Sequence, residues 1–285
     1  MPSDDYIKPV HAPVLMLPDD PPIIVSWERA VYNSLPLTYH REAELQFVKQ
    51  GLGSYFIQDR NYAFKKNSLI VIRPNEVHRL IPHPDLRIEK CTIIFPETML
   101  DDDSKLTCFP ADFPRHICLS ERDATDIEVI LRSIEDERRY RRHLWLDVIT
   151  TDLKKLILYI RRNGARENDD LPESENELVR KIVNYIETDF AQEITLNSLS
   201  EIFSLSPSYL SRFFKKCTGL NLKHYVLQRR IIEAKRLLEN DPMIKVSSIP
   251  QIVGFHDFPV FNQNFKQITG LTPSAYRKIM DKHDK

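Results

Sequence analysis

The stretch LSPSYLSRFFKKCTG, from Leu205 to Gly219, decides the fold of the C-terminal part of this chain. Ser206 is a favoured helix N-cap, and Pro207 follows at the first helical position, where a missing N–H leaves no hydrogen bond unmade. The apolar residues then repeat at the i, i+3, i+4 spacing of one buried face, at Leu210, Phe213 and Phe214. Gly219 can take the left-handed conformation that ends a helix. The stretch therefore predicts a short amphipathic helix.

The opposite face of this helix is polar and basic. Its residues are Ser208, Ser211, Arg212, Lys215 and Lys216. A shorter helix capped by Thr195 precedes it, and a tight turn joins the two. Two short helices in this arrangement, the second carrying polar and basic residues outward, form a helix-turn-helix.

The same plan occurs a second time. A linking helix is followed by a short helix at about 247–253, the turn GFHD at 254–257, and a helix at about 258–267 that the pair Thr269-Gly270 closes. SRFFKKCTG in the first unit corresponds to NQNFKQITG in the second. Two such units can insert their second helices into successive segments of the DNA major groove. Five phenylalanines on the apolar faces are predicted to be core rather than base-stacking groups: Phe213, Phe214, Phe255, Phe261 and Phe265.

Residues 194–278 resemble the DNA-binding domain of AraC/XylS-type transcription regulators. An ordered set of motifs carries the resemblance: YLSRFFKKCTG, RRIIEAKRLLEN, VGF at 253–255, NFK at 264–266 and GLTPSAYRK. It implies an all-α domain with a double helix-turn-helix over residues 177–285 that binds double-stranded DNA. The expected base-edge contacts are Ser208, Ser211, Arg212, Phe258, Asn262 and Gln263, and the expected phosphate contacts are Lys215, Lys216 and Lys266.

The second unit departs from the family pattern. Pro250 replaces a small residue in the first helical turn, where a missing N–H costs little, and Pro259 lies near the start of the following helix. Asn262 and Gln263 stand where the family more often has Ser and Arg. Asn and Gln can pair bidentately with adenine, whereas Arg pairs with guanine. Two interpretations stay open: the second unit reads different bases, or it contributes less to binding.

At 285 residues the chain is long enough for about two domains. Its net charge of −1 hides an asymmetry, because residues 178–285 hold 16 Lys and Arg against 10 Asp and Glu, and the remainder holds 24 against 31. A basic C-terminal third suits a module whose affinity for DNA comes largely from phosphate contacts.

Composition also bears on location. No apolar run approaches the roughly twenty residues of a membrane span, and the N-terminus lacks a signal-peptide pattern. The four cysteines show no CxxC or zinc-type spacing and are interpreted as reduced thiols. We therefore expect a cytoplasmic protein that does not contact a membrane.

The N-terminal half has a different pattern. Residues 1–22 are rich in proline with little periodicity and are predicted to form an extended arm. From residue 23 to about 96 the chain consists of short β-rich runs separated by turns such as Gly51, which is typical of a small all-β barrel. These residues resemble a cupin barrel, the sensor domain of many regulators in the same family. His40 and Glu44 fall on the first cupin motif, and His78 occupies the histidine position of the second.

The resemblance implies that the barrel binds a small organic effector. We expect its pocket to be lined by Trp27, Arg29, His40, Glu44, Gln46 and His78. Trp27 and Arg29 lie two apart on an early strand and can point to the same side. An aromatic face beside Arg, His and carboxylate groups would suit a sugar or a sugar acid. The alternative, in which Trp27 only packs and Arg29 is only exposed, stays open.

His40, Glu44 and His78 also match three of the four ligands of a metal-binding cupin. Thr38 stands where the fourth ligand would be. We therefore predict a site without a metal or other cofactor, and the metal site is kept as the alternative.

The pattern changes to helices at about 120–160, and the family resemblance implies that they pair two sensor domains into a homodimer. Packing against their own barrel alone is the alternative. The sensor domain would then span residues 23–160. Residues 161–176 are polar and nearly free of apolar side chains, which predicts a linker.

The sequence thus predicts a ligand-responsive, sequence-specific transcription regulator of carbohydrate or small-metabolite genes that is not an enzyme. The expected partners are double-stranded DNA, a small-molecule effector, a second copy of the chain and RNA polymerase. Two alternatives stay open. One is a metal-dependent cupin enzyme fused to a DNA-binding module, and the other is a constitutive regulator whose barrel is only a scaffold for dimerisation.

Overall fold

The computed structural model describes residues 23–32, 35–100, 109, 113–163 and 173–283. The chain divides into two compact units, with the main boundary between Glu173 and Ser174, and the short segment Pro36–Thr38 is grouped with the C-terminal unit. The described part of the first unit consists of strands followed by helices, and residues 173–283 of the second are helices and their connections. The predicted fold, a cupin-like β domain followed by an all-α domain, is confirmed.

The β domain consists of two antiparallel sheets. Its described strands are β1 Ile24–Val31, β2 Ala43–Gln50, β3 Gly53–Ile57, β4 Arg60–Phe64, β5 Ser68–Ile72, β6 His78–Pro82, β7 Arg87–Phe95 and β8 His116–Cys118. The strand order is β1-β7-β2-β5-β8 in the first sheet and β4-β3-β6 in the second.

Alternation along β2 separates two cores, because successive side chains of a strand point to opposite faces. Leu45 and Phe47 belong to the apolar core that the helices cover. Val48 belongs to the core between the two sheets, together with Tyr55 and Leu80 of the second sheet. Glu44 and Gln46 share the face of Val48 and therefore point between the sheets.

The structure extends the β domain beyond residue 96. Strand β8 joins the edge of the first sheet, with Cys118 opposite Ser68 of β5. Three residues are too few to show the alternation that marks a strand in a sequence, and β8 was not predicted.

Two helices, α1 Glu121–Tyr140 and α2 Trp145–Asn163, cover the outer face of the first sheet. Their buried residues recur at helical spacing: Ala124, Ile127, Leu131 and Ile134 in α1, and Ile149, Leu153, Leu156, Ile157 and Ile160 in α2. Ser120 caps α1 by accepting from the backbone N–H of Asp123 at 3.1 Å.

The C-terminal unit contains two helix-turn-helix units. Its described α-helices are α3 Glu173–Asp189, α4 Leu196–Phe203, α5 Pro207–Thr218, α6 Leu222–Asn240, α7 Ile249–Ile252, α8 Phe258–Thr269 and α9 Pro273–His283. Helices α4 and α5 form the first unit, α7 and α8 form the second, and α6 links them. None of the helices in the described residues has the length and apolar content needed to cross a membrane.

The predicted helix ends are present. Thr195 caps α4, Ser206 caps α5 with Pro207 in its first turn, and Gly219 ends α5 at a φ of 71°. Pro250 lies in the first turn of α7, as predicted.

The predicted linker is too long at both ends. Helix α2 continues to Asn163 and α3 begins at Glu173, so residues 161–163 and 173–176 are helical. Polar and charged residues occupy these helix ends, and composition cannot separate them from a linker. Residues 164–172 and the predicted arm at 1–22 lie outside the described residues.

Candidate functional site

The β domain carries a chain of buried and half-buried polar side chains between its two sheets. The strand register places Ser26 and Gln46 on either side of Thr92, and Glu28 beside Lys90. Side chains opposite one another on neighbouring strands share a face. The register therefore brings together polar groups from three strands, at positions far apart in the sequence.

Three predicted residues meet at one end of this polar chain. Nε2 of His40 lies 2.7 Å from Oε2 of Glu44, and Nε2 of His78 lies 3.1 Å from the same oxygen. None of the three is more than 7% exposed. Burial acts to raise the pKa of Glu44, but the charges and hydrogen bonds of His78 and His40 outweigh it and hold that pKa well below its usual value. Glu44 is therefore a carboxylate.

Gln46 continues the chain. Its Nε2 donates to Oε1 of Glu44, and its Oε1 accepts from Oγ1 of Thr92 at 2.9 Å. Nζ of Lys90 donates to Oγ1 of Thr92 at 2.8 Å and to Oε1 of Gln46 at 3.3 Å. Gln46 thereby joins the histidine end of the chain to the lysine end.

Glu28 closes the other end. Its carboxylate lies 3.5 Å from Nζ of Lys90 and accepts from the hydroxyls of Tyr32 at 2.5 Å and Ser26 at 3.0 Å. Burial alone would raise the pKa of Glu28, but Lys90 and the two hydroxyls lower it below its ordinary value. The polar chain thus ends in an ion pair between a buried lysine and a half-buried carboxylate.

Trp27 and Arg29 do not reach this chain, which corrects the prediction that they line the same pocket as His40. The Trp27 ring packs edge-on against Phe47 at 6.3 Å, and the Arg132 guanidinium of α1 lies 3.6 Å from its centroid. Arg29 is 62% exposed in its side chain and lies 3.8 Å from Glu89. The two residues share a side of β1, as predicted, but it is the side that the helices cover. Trp27 therefore packs against the apolar core, and Arg29 is an exposed charge.

Five members of the polar chain were missed in the sequence: Ser26, Glu28, Tyr32, Lys90 and Thr92. A local signal was available, because Ser26 and Glu28 flank Trp27 and Lys90 and Thr92 flank Cys91, which places the polar pairs on the opposite face of each strand from the apolar residue. Lys90 and Thr92 are 6% and 8% exposed.

The first helix-turn-helix unit presents its predicted DNA contacts on one surface. On α5, Ser208, Arg212, Lys215 and Lys216 are exposed and Ser211 is half-buried. Their spacing of three and four residues places them on one face of the helix. Nε of Arg212 donates to the backbone carbonyl of Ser208 at 3.3 Å.

The second unit presents the corresponding face of α8. Phe258, Gln263 and Lys266 are exposed and Asn262 is half-buried. Phe258 is 40% exposed, with its ring centroid 6.1 Å from that of Phe261. The phenylalanines predicted to be core are buried: Phe213, Phe214, Phe255, Phe261 and Phe265.

Arg230 of α6 fixes the turn of the second unit. Its guanidinium donates to the backbone carbonyls of Phe190, Gln192 and Gly254 at 2.7–2.8 Å. It thereby ties the turn before α8 to the loop that follows α3. This role was not predicted, because backbone carbonyl partners leave no residue-type signal.

Two protein families match the chain. Residues 24–136 match the family described as AraC-like ligand binding domain, and residues 199–279 match the family described as helix-turn-helix domain. The first match covers β1 to β8 and most of α1. The second covers both helix-turn-helix units.

Individual proteins are similar to this chain either at low sequence identity or over only part of its length. The HTH-type transcriptional activator RhaR of Salmonella arizonae is 26% identical over 254 residues, which are 86% of this chain and 88% of that protein. The structure of ToxT from Vibrio cholerae is 12% identical, covers 91% of this chain and 98% of its own, and has a TM-score of 0.39. The C-terminal domain of the response regulator YesN from Fusobacterium nucleatum is 38% identical, covers 37% of this chain and 99% of its own, and has a TM-score of 0.33.

Proposed function

This chain belongs to the AraC type of ligand-responsive, sequence-specific DNA-binding transcription regulators, and we propose that its effector is a small polyhydroxylated molecule, a sugar or a sugar acid. The observation that supports this class of effector is the buried polar chain from His40 to Glu28. Buried charged groups cost desolvation energy, and a barrel that served only as a scaffold would be at least as stable with apolar side chains there. We infer that the polar chain from His40 to Glu28 serves to recognise the effector, and that the protein acts by binding rather than by catalysis.

The chemistry of the polar chain fits an effector with several hydroxyl groups. A hydroxyl both donates and accepts, so it can exchange hydrogen bonds with Gln46 and Thr92. Glu28 and Glu44 accept from hydroxyls, and Lys90 offers a cation to a carboxylate. His40 and His78 complete the set of groups that we assign to the effector.

We assign the reading of DNA to the exposed faces of α5 and α8. The proposed base-edge contacts are Ser208, Ser211, Arg212, Phe258, Asn262 and Gln263, and the proposed phosphate contacts are Lys215, Lys216 and Lys266. The supporting observation is that each group lies on one surface of its helix while the phenylalanines fill the core.

Control of DNA binding would pass through a homodimer. Large apolar side chains remain exposed on or between α1 and α2, which supports self-association there: Val129, Tyr140, Leu144, Leu146, Val148 and Leu158. The effector must bind the inactive and active arrangements with different affinity. RhaR is named a transcriptional activator, and we propose the same direction here, with RNA polymerase recruited in the cytoplasm.

A thermal unfolding screen of the full chain tests the effector class. The ligands are neutral sugars and the corresponding sugar acids, with and without operator DNA. A ligand at a hundred times its Kd should stabilise the β domain by about 2.7 kcal/mol. Lys90→Met and Thr92→Val should abolish the rise. Arg29→Ala should preserve it, because Arg29 lies on the other face of the same sheet.

The outcome separates the proposal from the constitutive alternative. A rise with one class of ligand that disappears in the Lys90 and Thr92 variants supports a sensor and distinguishes sugar from sugar acid. If no member of either class raises the melting temperature and DNA binding is unaltered by them, the proposed effector class is wrong and the scaffold is favoured.

A further inference from the structure

The geometry points to a second ligand of the β domain: we propose that His40, Glu44 and His78 bind one divalent transition-metal ion. Each of the three residues offers one ligand atom, and all three atoms lie within 4.8 Å of one another. The sequence alone favoured a site without metal because Thr38 replaces one expected ligand. The orientation of the two imidazole rings, which the sequence cannot give, reverses that preference.

Both rings have their second nitrogen beside a group that can only accept. Nδ1 of His40 lies 3.0 Å from the backbone oxygen of Glu42, and Nδ1 of His78 lies 2.9 Å from that of Glu76. A carbonyl oxygen has no proton to give, so each Nδ1 must carry the hydrogen. A neutral imidazole protonated at Nδ1 has a bare lone pair at Nε2.

The two bare lone pairs converge on a third acceptor. Each Nε2 faces Oε2 of Glu44, at 2.7 and 3.1 Å, and a carboxylate oxygen is also an acceptor. Without a cation between them, three lone pairs point at one another in a buried site. One divalent metal ion placed between the two nitrogens and the oxygen would be bound by all three groups at once.

The separations fit a coordination sphere. Metal–ligand bonds to imidazole nitrogen and carboxylate oxygen are about 2.0–2.2 Å long, which places neighbouring ligand atoms about 3.0–3.4 Å apart. The observed separations of 2.7 and 3.1 Å need only a small adjustment. The ring centroids of His40 and His78 lie 5.1 Å apart at an interplanar angle of 75°, so the rings approach from different directions.

The surroundings hold the ligands as metal sites usually do. A metal-binding histidine commonly donates its other ring N–H to a backbone carbonyl, as both rings do here. Gln46 donates to the second oxygen of Glu44 and leaves Oε2 for the metal. Two nitrogen ligands and one oxygen ligand suit Zn²⁺, Co²⁺, Ni²⁺ or Fe²⁺, whereas Mg²⁺ and Ca²⁺ prefer oxygen alone.

A Co²⁺ titration of the chelator-treated, tag-free full chain tests this proposal without any effector. We expect saturation at one ion per chain, with visible absorption bands that Zn²⁺ abolishes by competition. His40→Gln and His78→Gln should each weaken binding at least about tenfold, since even partners of the ligands contribute that much. Glu44→Gln, which keeps the side-chain shape, should do the same if a histidine variant fails to fold.

Two other histidines provide matched controls. His116→Gln removes a buried imidazole that lies 3.0 Å from Oγ of Ser68, and His83→Gln removes an exposed one. Both should bind Co²⁺ like the wild type. Absence of saturable binding in the wild type would overturn the proposal, as would equal affinity in the His40, His78 and control variants. The effector screen is judged separately, because its variants Lys90→Met and Thr92→Val leave His40, Glu44 and His78 unchanged.

Discussion

The two helix-turn-helix units share one backbone frame and differ in the surface that they offer to DNA. Ser206 caps α5 and Asp257 caps α8, each accepting from the backbone N–H three residues ahead. Both helices end at a glycine of positive φ, 71° at Gly219 and 78° at Gly270. The beginning and the end of the second helix are therefore the same in both units.

The residue before each glycine repeats the same pair of hydrogen bonds. Oγ1 of Thr218 donates to the carbonyl four residues back at 2.8 Å and accepts from the N–H two residues ahead at 3.2 Å. Oγ1 of Thr269 does so at the same two distances. The shared CTG and ITG endings are thus a structural requirement.

The surfaces differ in charge and in the helix that supports them. Helix α5 exposes Arg212, Lys215 and Lys216, whereas α8 offers Lys266 beside the neutral Asn262 and Gln263. The supporting helix is eight residues long in the first unit and four in the second. The frame therefore depends on a few fixed residue types, and the reading surface varies independently of it.

The largest expected effect tests whether the two frames are equivalent. Phe214 and Phe265 occupy matching positions and are both fully buried. Phe214→Ala and Phe265→Ala should each destabilise the C-terminal unit by about 3–5 kcal/mol in urea unfolding followed by a probe in that unit. Phe258→Ala, at a 40% exposed position, is the control and should cost less. A large cost in one unit and a small one in the other would break the equivalence.

The turns should respond differently. Gly254 has a φ of +85°, and an added Cβ would collide with the backbone of Ala191. Gly254→Ala should destabilise the second unit by more than about 2 kcal/mol, since left-handed conformation alone costs an L-residue about 1–2 kcal/mol. In the first turn Ser204 already has a φ of 54°. Ser204→Gly should therefore change the free energy of unfolding by less than about 1 kcal/mol.

The reading surfaces should differ in the base that each selects. Arg212→Ala should weaken specific binding by about 1–3 kcal/mol and relax a preference for guanine, whereas Gln263→Ala should relax a preference for adenine. Selection of binding sites from random DNA measures both. Lys215→Ala is the control, with a uniform loss and a salt dependence reduced by about one phosphate contact. Equal losses on specific and random DNA would make Arg212 a phosphate contact too.

The comparison also shows what a sequence can predict. The caps of the first unit and the closing glycines and buried phenylalanines of both units were predicted, because each depends on residues within one helical turn. The cap at Asp257 was not predicted. The role of Arg230 was not predicted, because its partners are backbone carbonyls, which any residue can supply. In this domain, features set by neighbouring residues could be predicted, but a contact to backbone carbonyls distant in the sequence could not.

The same distinction governs the β domain. Alternation placed Trp27 and Arg29 on one side of β1 but could not say which side faces the second sheet. The side that faces the second sheet depends on the register of β1 with β7, about sixty residues away in the sequence. This register aligns Glu28 with Lys90, so Trp27 points to the opposite face and packs against α1. The resemblance to a cupin implied that His40, Glu44 and His78 lie together, but not which carbonyl groups orient the two rings.

The smallest effect sharpens the comparison at the two caps. Ser206→Ala and Asp257→Ala should each cost about 1 kcal/mol of stability, because each removes the acceptor for an N–H of the first helical turn. Asp257 also places a negative charge at the positive end of α8, which contributes about 0.3–1 kcal/mol at low salt. The cost of Asp257→Ala should therefore fall as salt is added, while that of Ser206→Ala stays constant. Asp257→Asn keeps an acceptor without the charge and should lose only the salt-dependent part. A salt-independent loss in Ser206→Ala and Asp257→Ala, with no loss in Asp257→Asn, would mean that the two caps act by hydrogen bonding alone.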